Sequence, residues 1–368
     1  MRRLAIFLPN WVGDAVMATP ALAALRRRYG DAVELIGIAR PTIADVLAGA
    51  RHVDRFWPRD ERGTPPSLDW RACARRLRAA RVDGTVHFTN DFASALAARF
   101  AGVPLIAGYA RNHRGFLLTV RLEAPRRGRR WLPVSAMDYY LRLAQAIGAD
   151  PAAPRVDLGT TPADEADADR AWATIGLAVG ERPVVINSSG AFGSAKLWPE
   201  ASCSALAAKV ARGLRRPVVV LAGPAEHDRA RRIAAAAGHP RVAALDGAPL
   251  SIGLSKAVVR RACVLVSTDS GPRHFGAAFG VPVVALFGPT DPAWSDTRHA
   301  HEIRLAHPIA CRPCAARECP LGHHDCMRKL SVDEVAAAVA SALGEPGGQE
   351  PAGENPGSMR TIPIGARA

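Results

Sequence analysis

Short apolar runs alternate with amphipathic stretches along most of the chain. In the first half, residues 4–8, 33–38, 84–88 and 104–108 read as strands. The stretches 15–29, 43–48, 70–80 and 92–101 carry helical spacing. The second half repeats the alternation, with strands predicted at 183–187, 217–222, 242–245, 263–266 and 281–287. Helices are predicted at 164–175, 200–213, 252–261 and just after Gly271, and a last one near 332–343 is expected to cross between the halves. Continuous apolar strands alternating with helices predict parallel sheets covered on both faces. Between the two arrays, residues 150–163 are rich in Pro, Asp, Thr and Ala and read as a hinge. The expected fold class is α/β, with two doubly wound Rossmann-like domains, residues 1–160 and 161–343, facing across a cleft. Residues 344–368, rich in Pro, Gly and Glu without apolar periodicity, read as a disordered tail. A length of 368 residues agrees with two domains of ordinary size.

The polar loops all follow strands, and in open α/β sheets ligands bind at the carboxyl ends of strands. The first such loop, Pro9-Asn10-Trp11-Val12-Gly13-Asp14, carries a carboxylate. Asp14 is either the N-cap of the following helix or a general base at the mouth of a cleft. After the strand at 183–187 comes a glycine- and serine-rich loop that includes Ser188 and Ser189 and ends near Lys196. Hydroxyl and glycine residues can surround phosphate oxygens while one ammonium neutralises charge. The spacing is not that of a P-loop, and a solvated loop lysine is the plainer alternative. Glu226, after the next strand, is either a ribose acceptor or a first-turn helix charge. The stretch from Ser267 to Gly280 joins a strand to a small-residue helix. Backbone N–H groups from about Ser270 onward would face an anion such as a diphosphate. Gly271 would let the backbone approach it, and Asp269 and His274 would contact sugar hydroxyls. An ordinary capped turn is the alternative. The polar loop 89–91 and the basic loops 111–115 and 126–130 read as solvated, or as a place to gather an anionic partner.

Charge sharpens this picture only partly. The net charge is +14, and the only lysines are Lys196, Lys209, Lys256 and Lys329, so the positive charge is nearly all arginine. A basic chain suits nucleic acid, an acidic membrane surface or a phosphorylated substrate. No apolar run is long enough to cross a membrane. Arg2 and Arg3 before an apolar run resemble an export signal, but Pro9, Asn10, Gly13 and Asp14 break it, and a cytoplasmic protein is expected. Seven cysteines fit a reducing compartment. Cys311, Cys314, Cys319 and Cys326 have the ligand count of a structural zinc site, with His323 and His324 as alternative ligands. Free thiols or a disulfide pair are the other readings, and Cys73, Cys203 and Cys263 look like lone core residues.

Taken together, the motifs at 9–14, 194–199, 268–274, 286–292 and 311–326 resemble the heptosyltransferases of lipopolysaccharide inner-core synthesis, glycosyltransferase family nine, nearest its heptosyltransferase II group. The resemblance runs over residues 4–343 and implies a GT-B fold with an acceptor domain followed by a nucleotide-sugar domain. It implies Asp14 as general base and Lys196 as the donor-contacting lysine. It also places Asp269, Gly271 and His274, and by position Glu226, at the donor. Ser188, Ser189 and Ser270 are expected to line the same site. Asn187-Ser188-Ser189 departs from the Pro-Gly type of turn common in the family. The implied reaction moves heptose from ADP-heptose, with inversion and no catalytic metal, to an anionic lipid A-core acceptor at the inner face of the cytoplasmic membrane. Another family-nine sugar or acceptor, or a non-catalytic nucleotide- or nucleic-acid-binding protein, is the competing reading.

Overall fold

The computed structural model describes residues 1–59, 66–128, 130–190 and 192–344. In the first half, β1 (Arg3–Phe7), β2 (Glu34–Ala39), β3 (Arg55–Pro58), β4 (Gly84–His87), β5 (Leu105–Tyr109) and β6 (Val120–Leu122) form one parallel sheet. Its order is β3-β2-β1-β4-β5-β6. Helices α1 (Val12–Met17), α2 (Thr19–Tyr29), α3 (Pro41–Leu47), α4 (Pro66–Ala79), α5 (Phe92–Ala101) and α6 (Ala136–Ala146) connect and cover these strands. A small hairpin of β7 (Arg126–Arg127) and β8 (Arg130–Trp131) stands apart.

Helix α7 (Pro162–Thr174) leads into the second half, where the winding repeats. The strands β9 (Val184–Asn187), β10 (Val218–Leu221), β11 (Val242–Ala244), β12 (Val264–Thr268), β13 (Val283–Leu286) and β14 (Glu302–Leu305) lie in the order β11-β10-β9-β12-β13-β14. They are flanked by α8 (Glu200–Gly213), α9 (His227–Ala237), α10 (Ile252–Arg261), α11 (Gly271–Phe279), α12 (Asp325–Arg328) and α13 (Val332–Leu343). Both sheets reverse direction beside their first strand, at β1/β4 and β9/β12. Such a switch point leaves a crevice at the carboxyl edge of the strands.

The central strands are buried along their lengths, which is why they read as unbroken apolar runs. Three of the four edge strands, β3, β6 and β14, escaped the apolar pattern because they are short and carry charged residues, Arg55, Arg121, Glu302 and Arg304, of which the Glu302 side chain is buried. On one side the cores of the two halves join: Leu4, Val16, Val46 and Leu47 belong to the same buried body as Leu254, Val258, Leu265 and Phe275. The terminal helix α13, expected to cross between the halves, packs on α8, β12 and β13 of the second half. The segment expected to be a hinge is tied down: the Asp157 amide donates to Thr19 Oγ1 at 3.1 Å, and Arg27 donates to the Asp150 carbonyl at 3.2 Å. The tail expected at 344–368 lies outside the described residues beyond Gly344.

Candidate active site

The helix expected over 15–29 is two helices. The chain is already helical at Val12, and Pro20 opens a second helix after Ala18. This changes the place of Asp14. Trp11 is the N-cap of α1, and Asp14 lies inside its first turn, so the capping alternative for Asp14 falls. A first-turn carboxylate is favoured by the helix dipole, but burial outweighs it here. Burial pushes Asp14 up to about 6, the negative charge of Asp269 pushes the same way, and Lys196 opposes them. A carboxylate tuned this close to neutral pH suits a general base.

Facing Asp14 is the turn from β12 into α11. Asp269 is buried, and each of its oxygens is claimed twice. Oδ1 accepts from Arg273 Nη1 at 2.9 Å and from Ser295 Oγ at 3.0 Å. Oδ2 accepts from Lys196 Nζ at 3.0 Å and Thr290 Oγ1 at 2.7 Å. Burial alone would raise this carboxyl, but Lys196 and Arg273 hold it well below the usual carboxylate range. Lys196 also donates to the Asp269 carbonyl at 2.6 Å, and its ammonium lies 4.5 Å from the centre of the Phe192 ring. Its place near the cleft is therefore held at several points, and the solvated-loop alternative does not describe it.

Ser270 is the N-cap of α11, but its hydroxyl makes no capping bond; it donates to the Thr268 carbonyl at 3.3 Å and accepts from Asn187 at 2.9 Å. The Gly271 end of α11 is thereby left without a side-chain cap, an arrangement suited to an anion. The close approach that Gly271 permits is to the first half: a methyl there would lie 2.7 Å from Val12 Cγ1. His274 does the same on the next turn, since a methyl on Gly13 would lie 2.7 Å from its Cδ2. Burial and the neighbouring Arg273 push His274 down to about 3; the ring lies buried under α1, and its Nδ1 has no hydrogen-bond partner among the described residues.

Glu226, Ser189 and the loop after β9 also come together. Glu226 Oε1 accepts from the Gly190 amide at 3.1 Å, and Ser189 Oγ accepts from the Gly223 amide at 3.0 Å. Ser188 is buried and donates to the Leu221 carbonyl at 3.3 Å, which turns it into the sheet.

What supports Asp269 lies almost wholly outside the local sequence pattern. Arg273 is fully buried, donates from Nε to Glu302 Oε2 at 3.1 Å and from Nη2 to the Ser295 carbonyl at 2.9 Å, and lies over the Phe287 ring. Glu302 in turn accepts from Arg304 at 2.5 Å, and Arg304 reaches Asp296 at 2.6 Å. Lysine, aspartate, arginine, glutamate, arginine and aspartate thus alternate from the cleft outward. The one available signal was the four-residue spacing of Asp269 and Arg273.

The four late cysteines line one small enclosed cavity together with His323, His324 and Pro289. Cys311 Sγ lies 3.9 Å from His323 Nε2. The donor set has the chemistry of a zinc site, but among the described residues no three such groups converge on a metal position. What the segment visibly does is brace the Lys196 turn: the Ala195 amide donates to the Arg317 carbonyl at 3.0 Å, and His324 Nε2 lies 2.8 Å from the Ala195 carbonyl.

Two doubly wound halves, with a carboxylate on one facing a cation-flanked helix start on the other, have the architecture of a GT-B glycosyltransferase. The sequence profile of glycosyltransferase family 9 (heptosyltransferase) matches residues 70–324, well over half of the chain. The chain belongs to this family and is a heptosyltransferase. It is 27% identical over 359 residues to lipopolysaccharide heptosyltransferase 1 of Pseudomonas aeruginosa, covering 89% of this chain and 90% of that one. Lipopolysaccharide heptosyltransferase 2 of Escherichia coli is 28% identical over 325 residues, covering 82% and 88%. The solved structure of E. coli ADP-heptose lps heptosyltransferase II superposes with a TM-score of 0.74 at 22% identity, over 93% of this chain and 98% of that one.

Three outcomes follow from the site's electrostatics. With Asp14 raised to about 6, turnover should climb with pH through that value and level off above it, as measured by a kcat/KM profile. The folded pKa exceeds the ordinary 3.8, so the stability linked to Asp14 is full below that value and is lost as pH rises through about 6. Asp14→Asn should therefore raise the urea midpoint at neutral pH, by less as the pH falls below about 6, and leave it unchanged below 3.8. Arg273→Met strands Asp269 and Glu302 without their shared cation, and urea unfolding should show a loss of about 3–5 kcal/mol.

Proposed function

We propose that this heptosyltransferase moves heptose from ADP-heptose, with inversion, to the inner core of lipopolysaccharide, the acceptor being of the heptosyl-Kdo2-lipid A type. Residues 1–160 would hold the acceptor and residues 161–343 the donor. The observation that carries this reading is the meeting of Asp14 with the Lys196–Asp269 pair across the two halves. An acceptor hydroxyl gives its proton to Asp14 and attacks the anomeric carbon, while ADP leaves from the opposite face. A placed general base contributes roughly 10²–10⁴-fold. The departing diphosphate gains negative charge as its bond breaks. Lys196 and the uncapped start of α11 would stabilise that charge most in the transition state. Glu226 and Ser189, latched beside the same cleft, suit the ribose and phosphate ends of the donor.

A peripheral place on the inner face of the cytoplasmic membrane goes with such an acceptor. Among the described residues no helix is long and apolar enough to span a membrane. Arginines near an anionic surface would each contribute about 1 kcal/mol of attraction. The nucleic-acid alternative is disfavoured because many arginines are already engaged: Arg260 and Arg261 pair with Glu165, Arg231 with Asp246, and Arg232 with Glu200. Relatives named heptosyltransferase 1 and 2 are about equally similar, so the acceptor is chosen here by the motif match alone.

Mass spectrometry of products from ADP-heptose and lipid A precursors carrying zero, one or two core sugars tests the reading. One heptose should be added to the precursor that already carries one. Asp14→Ala should lower that turnover by orders of magnitude with ADP affinity kept, whereas Lys196→Ala should weaken ADP binding and slow transfer. Lys196→Arg should not restore either, because a planar fork replaces a point charge. No added heptose on any precursor would remove the proposal.

The cysteine cluster is proposed as structural. Cys319→Ser should lower the melting temperature and leave turnover per folded molecule largely unchanged. Elemental analysis of the same protein decides the zinc question, since one equivalent would mean that the thiols close around a metal.

A further inference from the structure

Lys256 is one of four lysines and the most deeply buried of them, with none of its side chain exposed. It belongs to α10 in the second half, yet its partners lie elsewhere. Its ammonium donates to the Ala48 carbonyl at 2.7 Å, the Gly159 carbonyl at 3.0 Å and the Val46 carbonyl at 3.2 Å. An ammonium has three N–H donors, so all are used. Val46 and Ala48 stand at the carboxyl end of α3 in the first half, and Gly159 stands in the segment joining the halves. The last carbonyls of a helix have no partner within it, and Ala48 leaves the helix in an extended conformation. Lys256 therefore caps a helix of the other half. Asp164 supplies a carboxylate at 3.8 Å, and with Asp45 it opposes the burial that pushes the Lys256 pKa down.

The backbones touch at this same point. A methyl on Gly49 would lie 2.7 Å from the Thr160 carbonyl carbon, and one on Gly159 would collide with the Gly49 carbonyl. Gly49 also has φ +87°, which favours glycine. One on Gly253, a turn before Lys256, would collide with the Asp164 carboxylate. From here two helix pairs lead to the active site. Helix α3 packs on α1, which carries Asp14, and α10 packs on α11, whose start follows Asp269. A shift of α3 against α10 moves the base relative to the donor.

We propose that Lys256 is the pivot between the two halves: a positioning residue that caps α3 across the interface and sets the reach from Asp14 to the donor's anomeric carbon. This rests on the reading of Asp14 as the base. It assigns a role in catalysis to a residue that touches neither substrate.

The test compares the full-length protein with Lys256→Met, which removes every donor, and with Lys256→Gln, which keeps an amide donor group. Hydrogen exchange without substrates is measured first. Exchange should accelerate in 45–50 and 157–161, with β1, β9 and β12 as protected as in the parent protein. Calorimetry should find ADP affinity unchanged in both variants. Turnover should fall by about 10²-fold in Lys256→Met, the scale of a misplacement of about 1 Å, and by less in Lys256→Gln. Should Lys256→Met fail to fold, Lys256→Gln carries the same three comparisons. Parental exchange in the two segments, parental turnover, or loss of ADP affinity in step with turnover would each overturn the proposal. If the parent protein transfers no heptose while exchange responds as expected, the functional reading fails and the pivot stands.

Discussion

The structure depends most on one buried carboxylate. Asp269 is ionised in the interior, where an isolated charge would cost on the order of 20 kcal/mol in the idealised limit. Two cations and two hydroxyls offset this cost. One of the cations, Arg273, is itself buried and needs Glu302, which in turn needs Arg304. The alternation ends with Arg304 and Asp296, whose side chains are 30% and 20% exposed. A polar edge strand, β14, is the local result: Glu302 and Arg304 are there because the charge at the cleft requires an unbroken series of partners.

The same carboxylate reaches across to the first half. Its negative charge adds to burial in raising Asp14, so the proposed base is tuned partly by a residue of the opposite half. Small residues let the halves come close enough for this. Gly13 under His274 and Gly271 under Val12 leave no space for a side chain. The apolar body shared by the halves and the ties on residues 150–163 make this junction more rigid than a free linker.

Much of this was legible in the sequence. Buried central strands show as apolar runs, and a polar loop after a strand marks the carboxyl edge of a sheet, which is how Asp14, Lys196 and Asp269 stood out. The edge strands β3, β6 and β14 did not, since they are short and broken by charged residues, open to solvent at Arg55 and Arg121 and paired in the interior at Glu302. The break at Ala18 was hidden by the apolar spacing that runs through Pro20. Local pattern also hid a second role of two residues: Gly271 and His274 both pack against the other half. Arg273 with Glu302, and Lys256 with Val46, join residues 29 and 210 positions apart. Pairing at that range leaves no periodic trace.

The scarcity of lysine has a practical side. Guanidinium groups ignore reagents that acylate amines, and Lys256 and Lys196 are shielded, with 0% and 11% of their side chains exposed. That leaves Lys209 and Lys329, at 53% and 56%, as the open side-chain amines. Lys209 stands on the last turns of α8, towards the amino edge of the second sheet, and pairs with Asp333 at the start of α13, two residues after the loop that follows Lys329. Amine coupling through side chains would therefore fasten the molecule by its second half, at Lys209 on α8 or at Lys329 after α12.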